Sequence, residues 1–128
     1  MLARIAFCLA ALWSSSAIAA PSVETAADGL EHPWGLAFLP DGSMLVTERA
    51  GTLKRLAADG TTVGTVAGVP AVAFGGQGGL HDVVIASDFA TSRRVFVSFA
   101  EADNSGVNGL AVGTGVLSAD GATLAQWQ

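Results

Sequence analysis

The feature that most constrains the 128-residue sequence is a strand–turn–strand unit that occurs twice. Gly35 to Leu39, followed by Pro40-Asp41-Gly42, has a counterpart in Asp82-Val83-Val84-Ile85-Ala86, followed by Ser87-Asp88-Phe89. Met44 to Thr47 corresponds to Val95-Phe96-Val97-Ser98, and Leu56-Ala57-Ala58-Asp59-Gly60 to Leu117-Ser118-Ala119-Asp120-Gly121. The offset widens along the unit because the second copy has longer loops. Units of roughly 40–50 residues with four strands each have the period of a propeller blade.

The local signals agree with an all-β chain. Leu36 to Leu39 is a short apolar run stopped by the turn tetrad Pro40-Asp41-Gly42-Ser43. Met44 to Thr47 resumes a strand that Ala50-Gly51 breaks, and Leu53 to Leu56 mixes apolar and basic residues as a half-buried strand would. Asp59-Gly60 predicts a hairpin turn into the β-branched run Thr61 to Val66, and Leu124 to Gln128 reads as a further strand. No window has an apolar 3.6-residue period. Regular strand–turn spacing alone allows a sandwich, a barrel or a propeller. The repeat favours the propeller.

The first 19 residues read as a secretory leader. Arg4 precedes an unbroken apolar run from Ile5 to Trp13, and Ala17-Ile18-Ala19 puts small residues at a cleavage site. That run is too short to cross a bilayer, which takes about 20 apolar residues. The sole cysteine, Cys8, lies inside the leader, so residues 20–128 are expected to be exported, to a periplasm, and to be stable without disulfides. The formal net charge of −5 argues against a nucleic-acid binder and against polybasic adsorption to membranes.

A longer pattern carries more information. His32-Pro33-Trp34-Gly35-Leu36-Ala37-Phe38-Leu39-Pro40-Asp41-Gly42, then Leu45-Val46-Thr47-Glu48-Arg49, Gly51 and Val69-Pro70, resembles the opening of the glucose/sorbosone dehydrogenase family. Gly76-Gln77-Gly78-Gly79-Leu80-His81-Asp82-Val83 with Asp88-Phe89-Ala90 is similar to that family's next signature. Leu110-Ala111-Val112 through Leu117 to Gly121 resembles the strand pair that follows. The similarity runs in the family's order over nearly all of residues 20–128.

The resemblance implies a six-bladed β-propeller, of which this chain holds about two blades. It implies a periplasmic quinoprotein that oxidises the anomeric carbon of aldose sugars to lactones, with pyrroloquinoline quinone (PQQ) taking the hydride and calcium polarising it. An external acceptor then removes the electrons. The resemblance also makes Gln77 the candidate substrate-binding residue. An amide side chain donates to and accepts from sugar hydroxyls at once, and the glycines on both sides let a ligand approach the backbone.

Other polar residues are weaker candidates. His81 beside Asp82 suggests a base with its orienting carboxylate, but adjacent strand residues point to opposite faces. The family's catalytic histidine also belongs to a later motif, His-x-Gly-(x)-Arg/Leu, that this sequence does not reach. No catalytic or calcium-binding residue is therefore assigned, and His81 is expected to be a structural or channel-rim residue. Trp34 and Phe38 are expected in the core between sheets. Glu48 and Arg49 are expected in an ion pair, on the surface or within a blade, with Arg49 also weighed against a quinone carboxylate. Glu101, Asp103 and Asn104 read as a solvated loop that lacks the closing acid of a calcium loop.

Two blades cannot close a ring and leave apolar sheet faces uncovered. The expectation is thus an N-terminal piece of a longer dehydrogenase, inactive alone. The alternative from another class is a secreted, non-enzymatic β-domain that binds a carbohydrate or a protein partner through the Gln77 loop.

Overall fold

A computed structural model describes residues 20–128; the segment 1–19 expected to be a leader, with Cys8, lies outside the described residues. Eight strands form two four-stranded antiparallel meanders. The first sheet holds β1 (Pro33–Phe38), β2 (Met44–Glu48), β3 (Thr52–Leu56) and β4 (Thr62–Thr65), in the order β1-β2-β3-β4. The second holds β5 (Leu80–Ile85), β6 (Arg94–Ala102), β7 (Asn108–Leu117) and β8 (Leu124–Ala125), in the order β5-β6-β7-β8. The sequence repeat falls on equivalent strands. These are two propeller blades.

The second copy departs from the first at its first turn. Where the first sheet turns through Asp41-Gly42, the second inserts a one-turn helix, α1 (Phe89–Ser92), closed by Arg93 in the left-handed region at φ 52°. Leu124 to Gln128 is not one continuous strand. After Ala125 the chain kinks at Gln126, φ 56°, and then pairs Gln128 with Thr114 through backbone bonds of 2.9 and 3.0 Å.

The repeated Asp-Gly turns are built alike. Gly60 (φ 85°) and Gly121 (φ 71°) take the left-handed position that glycine occupies without a Cβ penalty. The Asp59 carboxylate accepts from the Thr61 hydroxyl at 2.7 Å and its amide at 3.0 Å. The Asp120 carboxylate accepts from the Ser118 hydroxyl at 2.5 Å and the Ala122 amide at 3.1 Å. These bonds hold both carboxyls below the ordinary aspartate range, the hydroxyl donor contributing most in each case. A depressed folded value stabilises the turn above the ordinary pKa, and that contribution disappears as pH falls through the lowered one. In an acid titration the Thr61 and Ala122 amide resonances should therefore move with midpoints below about 3.9, the free aspartate value. Midpoints at or above it would contradict these turn contacts.

The main core lies between the sheets. Leu45, Leu53, Leu80, Val83, Val95, Val97, Leu117 and Leu124 are essentially without solvent exposure there. Burying each such side chain contributes roughly 1.5–3 kcal/mol. A second, smaller cluster of Met44, Val46 and Leu56 lies on the outer face of the first sheet, covered by Ala27 and Leu30. This cover alters the expected reading of β3. Leu53 pairs with Thr47 and enters the main core, whereas Leu56 pairs with Met44 on the outer face. The strand is buried on both faces at its leucines.

Trp34 and Phe38 are not core. They are 54 % and 65 % exposed, since they alternate along β1 with buried Gly35 and Ala37 and so lie on a face that Ala27 and Leu30 cover only in part. The outer face of the second sheet is similarly open at Val84, Phe96, Leu110 and Val112.

A buried hydroxyl joins the two sheets. Thr47, fully buried in β2, accepts the Gly35 amide at 2.8 Å and donates to the carbonyl of His81 on β5. Gly35 permits this approach: a Cβ there would lie 2.7 Å from the Asp82 carboxylate and 2.9 Å from the Val83 nitrogen. Thr47→Val should strand both partners and destabilise the chain by about 1–3 kcal/mol in urea unfolding, with Thr47→Ser losing much less. Equal stability of the valine variant would contradict the bridge.

Candidate functional site

Gln77 lies where the two sheets meet, on a tight turn leading into β5. Gly75 and Gly78 bridge each other: the Gly78 amide donates to the Gly75 carbonyl at 2.7 Å, and the return bond is 3.5 Å. Gly76 takes φ 53° at the first central position and Gln77 a negative φ at the second, the pattern of a turn with glycine at its first corner. Gln77 is exposed, and its side-chain amide makes no hydrogen bond to a described residue. The donors and the acceptor of that amide are free for a ligand.

The turn is tied to both sheets. The Leu80 amide donates to the Arg49 carbonyl at 2.9 Å, and the Ala100 amide donates to the Gly79 carbonyl at 2.8 Å. The Ala73 amide donates to Ala100 at 2.7 Å and holds the approach to the turn against β6. Arg49, just past β2, donates from Nη1 to the Gly76 carbonyl at 3.0 Å, with its guanidinium 5.3 Å from the centre of the Phe74 ring. His81 donates from Nε2 to the Gln77 carbonyl at 3.1 Å. Its ring centre lies 5.0 Å from that of Trp34, tilted by 32°. Gln77, His81, Trp34, Arg49 and Phe74 thus form one surface cluster.

Several expectations are resolved by this geometry. Glu48 forms the ion pair within its blade, meeting Lys54 at 3.0 Å and accepting the Glu31 amide at 2.7 Å. Arg49 does not share in it and supports the Gln77 turn instead. His81 and Asp82 form no dyad, although strict alternation is not the reason. The β5–β6 register shifts between Leu80 and Val83, so the two residues sit at an irregularity. They are separated by their partners: His81 bonds Gln77, while the Asp82 carboxylate accepts the Val83 amide at 2.9 Å. Asp103 accepts from Ser105 and Val107 and closes its own loop. The chemistry of Arg49, Phe74 and Trp34 at this turn had no local signal in the sequence.

Among the described residues, no group of three or more histidine, cysteine, aspartate or glutamate side chains could hold a metal ion. Arg49, weighed for a quinone carboxylate, is engaged with Gly76 and Phe74. No calcium or quinone ligand is therefore assigned among the described residues. Nor does any described helix have the length and apolarity to cross a membrane. A crevice elsewhere is lined in part by Asp41, Arg55, Phe89 and Arg93, whose charged groups bond to the protein itself. Arg55 meets Asp41 at 3.3 Å and the Asp120 carbonyl at 2.7 Å, and Arg93 donates to the carbonyls of Leu117 and Ser118.

Two face-packed meander sheets with a polar turn at their junction define an incomplete propeller with a candidate ligand-contacting rim. Residues 30–128 match the glucose / sorbosone dehydrogenase family, and the chain belongs to it. It is 49 % identical over 111 residues to the aldose sugar dehydrogenase YliI of Escherichia coli strain K12, covering 86 % of this chain and 29 % of that protein. A glucose dehydrogenase crystal structure is 50 % identical, with a TM-score of 0.81, over 84 % of this chain and 32 % of its own. The PQQ-bound aldose sugar dehydrogenase of Streptomyces coelicolor is 30 % identical, with a TM-score of 0.64, over 83 % of this chain and 31 % of its own. The chain thus spans about a third of the length of these relatives.

Proposed function

We propose that residues 20–128 supply two blades, and through Gln77 a sugar contact, to a periplasmic quinoprotein dehydrogenase that oxidises aldoses at the anomeric carbon to lactones. Residues 1–19 are its cleaved leader. Family membership supports sugar oxidation, and the PQQ-bound Streptomyces relative supports the quinone as hydride acceptor. Calcium and an external electron acceptor belong to the same reading. The observation that carries the role of Gln77 is its exposed, uncommitted amide on a turn tied to both sheets.

This chain's own contribution is binding and orientation. The amide N–H groups of Gln77 donate to sugar hydroxyl oxygens and its carbonyl accepts a hydroxyl proton, which fixes how the ring presents its anomeric carbon. Neither histidine is the base that removes the anomeric hydroxyl proton. The family's catalytic histidine belongs to a later motif, His81 is held beside the turn by its Nε2 bond to the Gln77 carbonyl, and His32 lies in the loop just before β1. A non-enzymatic carbohydrate-binding or partner-binding domain is the less favoured reading, given the family.

The purified 128-residue chain, mixed with PQQ, calcium and an aldose, should therefore reduce no redox dye above the rate of free quinone. Clear turnover would contradict the reading that this chain lacks the base.

A further inference from the structure

We propose that Arg49 and His81 are positioning residues that clamp the Gln77 turn, one from each sheet, by holding its two central carbonyls. The inference rests on the reading of Gln77 as a sugar contact and explains how that contact is kept in place.

The turn needs outside support. Gly75, Gly76, Gly78 and Gly79 surround Gln77, so the segment carries almost no side chain to pack and has the largest backbone freedom to lose. It is closed by one short backbone bond, 2.7 Å from Gly78 to Gly75, its return bond being 3.5 Å. The two peptide carbonyls at the corners, Gly76 and Gln77, are each taken by a side chain from elsewhere. Arg49 reaches Gly76 from the end of β2 at 3.0 Å, and His81 reaches Gln77 from β5 at 3.1 Å. Together they set the plane of the peptides that carry Gln77.

Both clamps are themselves braced. A carbonyl only accepts, so His81 carries its proton on Nε2, and its ring rests against Trp34. The Arg49 side chain lies against Gly79, where an added Cβ would come within 2.7 Å of its Cγ, and its guanidinium faces the Phe74 ring. Arg49 has no carboxylate partner among the described residues, so its charge strengthens the bond to the Gly76 carbonyl. Because the clamps come from different sheets, the position of Gln77 depends on how the sheets dock.

The test is amide hydrogen exchange on the labelled full chain, with a D-glucose titration followed at the Gln77 side-chain amide. Arg49→Met and His81→Phe keep bulk but remove the donors; Arg49→Lys and His81→Gln restore one. Each donor-less variant should speed exchange of the Gly78 amide about tenfold, the equivalent of one lost hydrogen bond, and reduce the glucose-induced shift at Gln77 several-fold. The Leu45 and Val97 amides should stay protected, and the Lys and Gln variants should recover most of both effects. If a donor-less variant loses protection throughout the core, its donor-restoring partner is scored instead. It should then keep Gly78 exchange near wild type, and a loosened Gly78 in it would overturn the clamp. Gly78 exchange within twofold of wild type in both donor-less variants would also overturn it. A wild-type chain in which glucose leaves Gln77 unmoved while the variants still loosen Gly78 would uphold the clamp and refute the sugar contact. Where glucose does move the wild-type Gln77 amide, a shift of equal size in the donor-less variants would refute the clamp alone.

Discussion

Gly79→Ala should destabilise the chain by about 3 kcal/mol or more, from an unfavourable backbone conformation and overpacking together. Gly79 has φ 149°, in the region that side chains rarely enter, and an added Cβ would lie 2.1 Å from the Arg49 carbonyl oxygen and 3.0 Å from its carbon. That oxygen accepts the Leu80 amide at 2.9 Å, so relieving the clash means breaking a bond between the sheets. Leu80 is the fully buried first residue of β5 and cannot retreat without opening the main core. Gly64→Ala is the control. Nothing lies within 4 Å of a Cβ there and its φ is not positive, so its stability should change by no more than about 0.5 kcal/mol. Urea unfolding of both variants checks the pair, and a Gly79→Ala chain within about 1 kcal/mol of wild type would contradict the described junction.

The parts legible in the sequence are those decided by near neighbours. Asp59-Gly60 and Asp120-Gly121 specify their turns because the carboxylate and the left-handed glycine act within a few residues. Apolar runs such as Met44 to Thr47 and Val95 to Ser98 identify strands for the same reason. The repeat then extended these local signals to two equivalent sheets. What was missed depends on contacts distant in the chain. Trp34 and Phe38 look like core because they are large and apolar, yet they alternate with buried Gly35 and Ala37 on a face that Ala27 and Leu30 cover only in part. Leu53 to Leu56 looked half-buried, but Ala27 and Leu30 also bury Leu56 on the outer face.

The candidate site divides in the same way. Gln77 was marked by the family resemblance, because a polar residue among glycines reads by itself as a flexible connection. Arg49 did not, because its contact with Gly76 spans 27 positions and exists only when the sheets dock. His81 was set aside as a base on strand alternation, which is not what separates it from Asp82. The register shift in β5 removes simple alternation, and hydrogen-bond partners decide where its ring goes.

The largest functional effect is expected at Gln77. Its amide is exposed, and no described residue competes for it, so a sugar would meet a group that has already lost little by being placed there. Removing the amide should cost the hydrogen bonds it makes to sugar hydroxyls, about 1–3 kcal/mol, which is roughly a 10- to 100-fold fall in kcat/KM. Replacement by glutamate, which accepts but does not donate, should lie closer to alanine than to wild type. Fold and turn should be unaffected, because the Gly75–Gly78 bridge and both clamps use backbone atoms of this residue and its neighbours.

The most direct measurement places residues 30–128 into Escherichia coli YliI in exchange for the matching segment and compares glucose oxidation with and without Gln77→Ala. The chimera should turn over, and the alanine variant should lose about 10- to 100-fold in kcat/KM while keeping the same unfolding midpoint. An active chimera whose kcat/KM changes less than about twofold on Gln77→Ala would contradict the assignment of Gln77 to the sugar site.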